Sequence, residues 1–237
     1  MKDKFLIILP GWGGNTQTWI KFTDISENKI NTQVIDLPCF GLEPCPTEVW
    51  GIEEYAEFVK NKIKTITDKP VILLGHSFGG QVATYFTVHY PEMVEKLILS
   101  GAAVFRPAKL LKRTIYFKIA RLGKLIFKLP ILKKYSVQSR KLIYKIANSP
   151  DYTHTQGVKR EIFKKVIRQD LEKILPKIKV PTLVVWGKKD NYVPIAKGKK
   201  IAKLISGAKI EIFPKGKHGL HLQMPKELFK IIYDFIN

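Results

Sequence analysis

Short apolar runs recur along this chain, separated by longer stretches in which apolar residues return every three to four positions. The runs are Phe5 to Leu9, Thr32 to Ile35, Val71 to Leu74, Val94 to Leu99, Thr182 to Trp186 and Lys209 to Phe213. Their length and β-branched content predict strands. The stretches Ile52 to Ile66, Phe78 to Tyr90, Ile195 to Ile205 and Lys226 to Ile236 carry the helical period and predict helices. Strands that are apolar throughout, with helices between them, predict an α/β fold: a mostly parallel sheet covered by helices on both faces. Between Ser100 and Val180 the strand pattern stops and basic helical patterns replace it. The expected organisation is a first core part (1–105), an inserted basic helical lid (106–179) and a second core part (180–237).

Composition adds two constraints. A chain of 237 residues with 45% hydrophobic content can bury one substantial core, consistent with one domain carrying an insertion. The net charge of +21 is unevenly spread: residues 106 to 179 hold 21 lysines and arginines against four acids, a balance of +17, and the remainder carries only +4. Within 107 to 147, Lys109, Lys112, Arg113, Lys118 and Arg121 interleave with Leu110, Leu111, Ile115, Phe117 and Leu122, a basic amphipathic pattern. No uncharged window there is long enough to cross a bilayer. The field of such a segment would attract an acidic carrier protein or an anionic membrane surface through Lys109, Lys112 and Arg113. A solvated face with no partner is the plainer alternative. No nucleic-acid-binding module accompanies the charge, so nucleic acid is not expected.

Cys39 and Cys45 stand close together in a Pro-rich stretch, too few for a disulfide framework and without zinc-site spacing. They read as reduced thiols, with a local disulfide as the alternative, and the first apolar run is too short for a signal peptide, so a cytoplasmic protein is expected. No His, Cys, Asp and Glu cluster has metal-ligand spacing, and neither metal nor cofactor is expected.

The most informative segment is Leu73-Leu74-Gly75-His76-Ser77-Phe78-Gly79-Gly80, which joins a predicted strand to a predicted helix through one serine flanked by glycines. A turn this tight tolerates no bulk two residues before or after the serine, a demand that Gly75 and Gly79 meet. It lifts the Ser77 hydroxyl clear of the sheet and leaves the Phe78 N–H at the positive end of a helix, where it can meet an oxyanion. A serine hydroxyl is a weak nucleophile, so it needs a base and a group that orients the base. Asp190 follows the strand ending at Trp186, and His218 follows the last strand in a loop bounded by glycines. Both can converge on Ser77 from the carboxyl edge of a parallel sheet. Of the five histidines, His221 is the rival to His218 as base.

These segments resemble the α/β-hydrolase family, serine hydrolase branch, with a layout similar to the carrier-protein methyl ester esterases. The matching residues are Pro10-Gly11-Trp12-Gly13-Gly14, Asp36-Leu37-Pro38-Cys39-Phe40-Gly41, the elbow, Gly187-Lys188-Lys189-Asp190-Asn191-Tyr192-Val193-Pro194 and Gly216-Lys217-His218-Gly219. The resemblance implies a Ser77, Asp190, His218 triad and a second oxyanion donor at the backbone N–H of Trp12, whose indole is expected to line the acyl pocket. Two positions depart from the family pattern: Pro10 where histidine is common, and Cys39 where glycine is. Because the elbow residue is serine and not aspartate, the implied chemistry is acyl transfer to water, with a carboxylic ester or thioester as substrate. Carbon–carbon bond hydrolysis by the same triad, or anionic lipid or partner binding through the lid with an idle triad, are the alternatives.

Overall fold

The computed structural model describes residues 4–106 and 156–237. Six strands, β1 (Phe5–Leu9), β2 (Asn31–Val34), β3 (Val71–His76), β4 (Val94–Ser100), β5 (Thr182–Gly187) and β6 (Lys209–Phe213), form one sheet in the order β2-β1-β3-β4-β5-β6. Every pairing is parallel. The helices among the described residues are α1 (Thr16–Ser26), α2 (Ile52–Ile66), α3 (Phe78–His89), α4 (Gly157–Val166), α5 (Ile195–Leu204), α6 (Leu220–Gln223) and α7 (Pro225–Ile236). Short 3₁₀ turns at Pro91–Met93 and Glu172–Lys177 lead into β4 and β5.

The inner strands β1, β3, β4 and β5 are largely apolar because both faces are covered, and the period of two deals alternate residues to opposite layers. Ile7, Leu9, Val71 and Leu73 share one layer with Tyr55, Val59 and Ile63 of α2 and Val82 and Phe86 of α3. Leu6, Ile8, Ile72 and Leu74 share the other with Trp19 and Phe22 of α1 and Leu228, Phe229 and Ile232 of α7. Each such side chain contributes about 1.5–3 kcal/mol on full burial. The edge strands β2 and β6 are only partly buried.

The strand and helix expectations hold to within one or two residues, β3 and β4 extending to His76 and Ser100 at the site. Helix α1 falls in a stretch given no helix from the sequence. It is a capped helix: Asn15 accepts from the Thr18 N–H, Thr18 returns a bond to the Asn15 N–H, and Trp19, Phe22 and Ser26 are buried at helical spacing. The cysteines also differ from expectation. Cys39 and Cys45 are joined in a disulfide, which closes the loop after β2 and removes the ground for a reducing compartment that free thiols supplied.

The basic helices expected over 107 to 147, with Lys109, Lys112 and Arg113, lie outside the described residues. Residues 166–169 are tied to the sheet-covering helices: Gln81 Nε2 donates to the Val166 carbonyl at 3.1 Å, and the Ile52 N–H donates to Gln169 Oε1 at 2.9 Å. Among the described residues no helix is long and apolar enough to cross a membrane.

Chain order fixes where a site can form. From β1 the chain turns outward to β2, whereas from β3 it runs the other way through β4, β5 and β6. The carboxyl ends of β1 and β3 therefore flank the switch point, the crevice where open parallel sheets hold ligands.

Candidate active site

Ser77 sits between β3 and α3 with φ +51° and ψ −110°, a left-handed conformation that costs an ordinary residue of order 1–3 kcal/mol. Its surroundings hold it there. The Ser77 N–H donates to the Ser100 carbonyl at 3.0 Å, and the Ser77 carbonyl accepts from Ala103 at 3.0 Å and Gln81 at 3.2 Å. A Cβ on Gly79 would lie 2.1 Å from the Leu9 carbonyl oxygen, and one on Gly75 would lie 2.6 Å from that of Gly79. The elbow glycines are thus demanded by β1 and by the turn itself.

His218 and Asp190 reach this serine from neighbouring loops at the same sheet edge. His218 Nε2 lies 2.9 Å from Ser77 Oγ, and His218 Nδ1 lies 2.7 Å from Asp190 Oδ2. The carboxylate can only accept, so Nδ1 carries the proton and Nε2 presents its lone pair to the serine hydroxyl. Asp190 Oδ1 accepts from the N–H groups of Tyr192 and Val193, both at 2.8 Å, and the Asp190 side chain is 1% exposed. The acid loop is braced in turn by Trp186 Nε1, which donates to the Val193 carbonyl at 2.9 Å. The Lys189 N–H donates to the Gly216 carbonyl at 2.9 Å, lacing the acid loop to the histidine loop. A hydroxyl, a base and an orienting carboxylate form one hydrogen-bonded chain able to deliver an alkoxide-like nucleophile.

Phe78 opens α3, where first-turn N–H groups lack intrahelical partners. Gly11 packs against the elbow: a Cβ there would lie 3.1 Å from Ser77 Cβ. The Trp12 amide, one residue on, therefore belongs to the loop bordering Ser77. Among the described residues, neither the Trp12 nor the Phe78 N–H donates to a backbone carbonyl. The Trp12 indole packs on Phe40, Phe78 and Phe163, at centroid distances of 4.9, 5.4 and 4.9 Å, forming an aromatic wall beside the serine. Lys159 lies over Phe40 at 4.3 Å and donates to the Cys39 carbonyl, and burial lowers its pKa.

His221, the alternative base, is turned away from this chain of bonds. It is buried and stacks on Trp19 at 4.1 Å with the rings 9° apart, and its pKa is lowered to about 4, first by burial and then by His218. The sequence reading did not pick out two ring contacts on the base. Tyr192 stacks on His218 at 5.1 Å, and His76 lies 4.8 Å from it. The only available signal was position in the chain, Tyr192 two residues after Asp190 and His76 immediately before Ser77. Among the described residues no group of His, Cys, Asp and Glu could hold a metal ion.

Comparison with known proteins gives a consistent outline. A family model described as serine aminopeptidase, S33, matches residues 25–224. The chain is similar to monoacylglycerol lipase ABHD6 of Bos taurus, 23% identical over 258 residues covering 98% of this chain and 74% of that protein. It is 28% identical over 255 residues to the AB hydrolase superfamily protein YisY of Bacillus subtilis, covering 98% of this chain and 91% of that one. Among solved structures, an esterase from Exiguobacterium antarcticum superposes with a TM-score of 0.75 at 21% identity, covering 99% of this chain and 92% of that chain.

Proposed function

The chain belongs to the serine aminopeptidase S33 family of α/β-hydrolases, and from that premise we propose that it hydrolyses a carboxylic ester or thioester with an apolar acyl group. The observation that carries this reading is the unbroken chain of hydrogen bonds from Ser77 Oγ through His218 to Asp190. In the proposed reaction Ser77 Oγ attacks the substrate carbonyl carbon while His218 Nε2 takes the hydroxyl proton. Asp190 stabilises the resulting imidazolium, and the Phe78 and Trp12 amides receive the oxyanion. The carbon–oxygen or carbon–sulfur bond breaks as His218 returns the proton to the leaving alcohol or thiol. Water then attacks the acyl-enzyme, giving its proton to His218, and Ser77 leaves reprotonated with release of the acid.

The charge around the site supports an ester in preference to an N-terminal peptide. The loops bearing Asp190 and His218 also carry Lys188, Lys189, Lys215 and Lys217, all exposed, and their one acid, Asp190, is committed to His218. An approaching α-ammonium would be repelled there, whereas an anionic group would be drawn in. Among the described residues none of these four lysines forms an ion pair. This basic rim supports an acidic carrier protein or an anionic membrane surface as the presenter of the acyl group.

The test is intact-mass labelling with a fluorophosphonate, wild type against Ser77→Ala, followed by p-nitrophenyl esters of increasing chain length, an aminoacyl p-nitroanilide and a dienoic diketone. Stoichiometric labelling that vanishes with Ser77, and turnover of the esters, is the expected result. No labelling of the folded wild type would refute the serine mechanism. Turnover of the anilide or the diketone alone would reassign the substrate.

A further inference from the structure

His76 is a buried imidazole that the proposed reaction does not use. It ends β3, immediately before the nucleophile. Its Nδ1 lies 3.0 Å from the Ser100 carbonyl oxygen, the same oxygen that accepts the Ser77 N–H at 3.0 Å. A carbonyl can only accept, so His76 carries its proton on Nδ1 and donates. One oxygen of β4 thus receives two donors from consecutive residues, one from the backbone of the strained nucleophile and one from the side chain before it.

The rest of the ring touches the other moving parts. Its centroid lies 4.8 Å from that of His218, and Cδ2 would lie 3.1 Å from a Cβ on Gly11, so the ring fills the space left by the glycine of the oxyanion loop. Behind it stand His221 at 4.8 Å and Trp19 at 6.3 Å, which close its far side. Burial, His221 and His218 all lower its pKa, so the ring stays neutral beside a base that must accept a proton.

We propose that His76 is a positioning residue for the reaction: by sharing the Ser100 carbonyl with the Ser77 amide, its Nδ1–H clamps the left-handed turn that presents the serine. This inference rests on the reading of Ser77, His218 and Asp190 given above. A side chain that only filled core would change stability. A clamp changes the reactivity of Ser77, because small misplacements of reacting groups cost up to ~10²-fold in rate.

The experiment compares His76→Asn, His76→Gln and His76→Leu with wild type. The asparagine amide nitrogen occupies the position of Nδ1 and keeps the donor, the glutamine amide reaches the position of Nε2 and does not, and leucine keeps volume without a donor. Each is measured for its second-order labelling rate with a fluorophosphonate, for kcat and KM on a short p-nitrophenyl ester, and for its melting temperature. The glutamine and leucine variants should label and turn over about 10- to 100-fold more slowly with KM changed less than about twofold, while asparagine stays within about threefold of wild type. Wild-type reactivity in the glutamine or leucine variant, whatever its melting temperature, would overturn the proposal. So would an asparagine variant as slow as glutamine. If leucine does not fold, the contrast between asparagine and glutamine decides. Absence of labelling in wild type would instead refute the serine mechanism, which separates the two failures.

Discussion

Replacing Asp190 by asparagine exposes a conflict that the structure makes explicit. Oδ2 accepts from His218 Nδ1 at 2.7 Å while Oδ1 accepts from the Tyr192 and Val193 amides, both at 2.8 Å. Three donors converge on a side chain that is 1% exposed, and a carboxylate can satisfy all three. An amide cannot. If its oxygen keeps the two backbone donors, its NH₂ faces His218 and forces the proton of the imidazole onto Nε2, the atom that must accept from Ser77. If the amide flips, two buried backbone N–H groups lose their acceptor. The first arrangement is the cheaper one, since it replaces charge-assisted bonds by neutral ones at about 1–2 kcal/mol. Its consequence for reactivity is far larger. Holding the base in the wrong tautomer typically lowers kcat by ~10⁴-fold in a triad, about 5 kcal/mol of barrier. Steady-state hydrolysis of a p-nitrophenyl ester and the fluorophosphonate labelling rate should both collapse in Asp190→Asn while the thermal melt moves by a few degrees. Activity within tenfold of wild type in a folded variant would show that Asp190 does not set the tautomer, and the mechanism would have to be redrawn.

Two further outcomes are expected. The lowered pKa of His221, about 4 against an ordinary 6.5, means that the unfolded chain binds a proton that the folded chain refuses. The stabilisation is therefore complete above pH 6.5 and lost as pH falls toward 4, amounting to about 2 kcal/mol by pH 5, with His76 acting in the same direction. Urea melts at pH 8 and pH 5 should show a smaller decline for His221→Phe than for wild type, and parallel declines would reject this account. Charge reversal of Lys188, Lys189, Lys215 and Lys217 should weaken binding to anionic vesicles or an acidic carrier protein by at least about tenfold while leaving a short neutral ester unaffected. Unchanged binding to both, or equal loss on the ester, would remove the rim as a presenting surface.

Much of this molecule was legible because two periodicities and one turn carry strong local signals. The inner strands are largely apolar on both faces, so they stand out as continuous runs, and α2 is bounded as its pattern predicts, Ile52–Ile66. Ser77 is announced by its glycines, which close backbone contacts at the turn require. Helix α1 escaped notice because its Thr-rich sequence has a weak apolar stripe, although Asn15 and Thr18 already spelled a capping box. The pairing of Cys39 with Cys45 could not be deduced from spacing, since two nearby cysteines suit either state. An inserted basic lid was expected from a break in pattern and a concentration of charge over 106–179, of which 107–155 lie outside the described residues.

The amino-acid sequence by itself determined the class of fold, the tight turn that carries Ser77 and the order in which this serine, Asp190 and His218 occur, because each depends on local period or a local turn. Tertiary structure alone decided which histidine meets Ser77. His218 and His221 are three residues apart, yet one lies 2.9 Å from the hydroxyl and the other stacks on Trp19. It also decided that the glycine-rich loop after β1 borders the elbow after β3, since that neighbourhood follows from the strand order β2-β1-β3-β4 and not from distance along the chain. The shared anchor at the Ser100 carbonyl belongs to the same class. Such contacts join residues far apart in sequence, and only the packing of two layers onto one twisted sheet brings them within hydrogen-bond range.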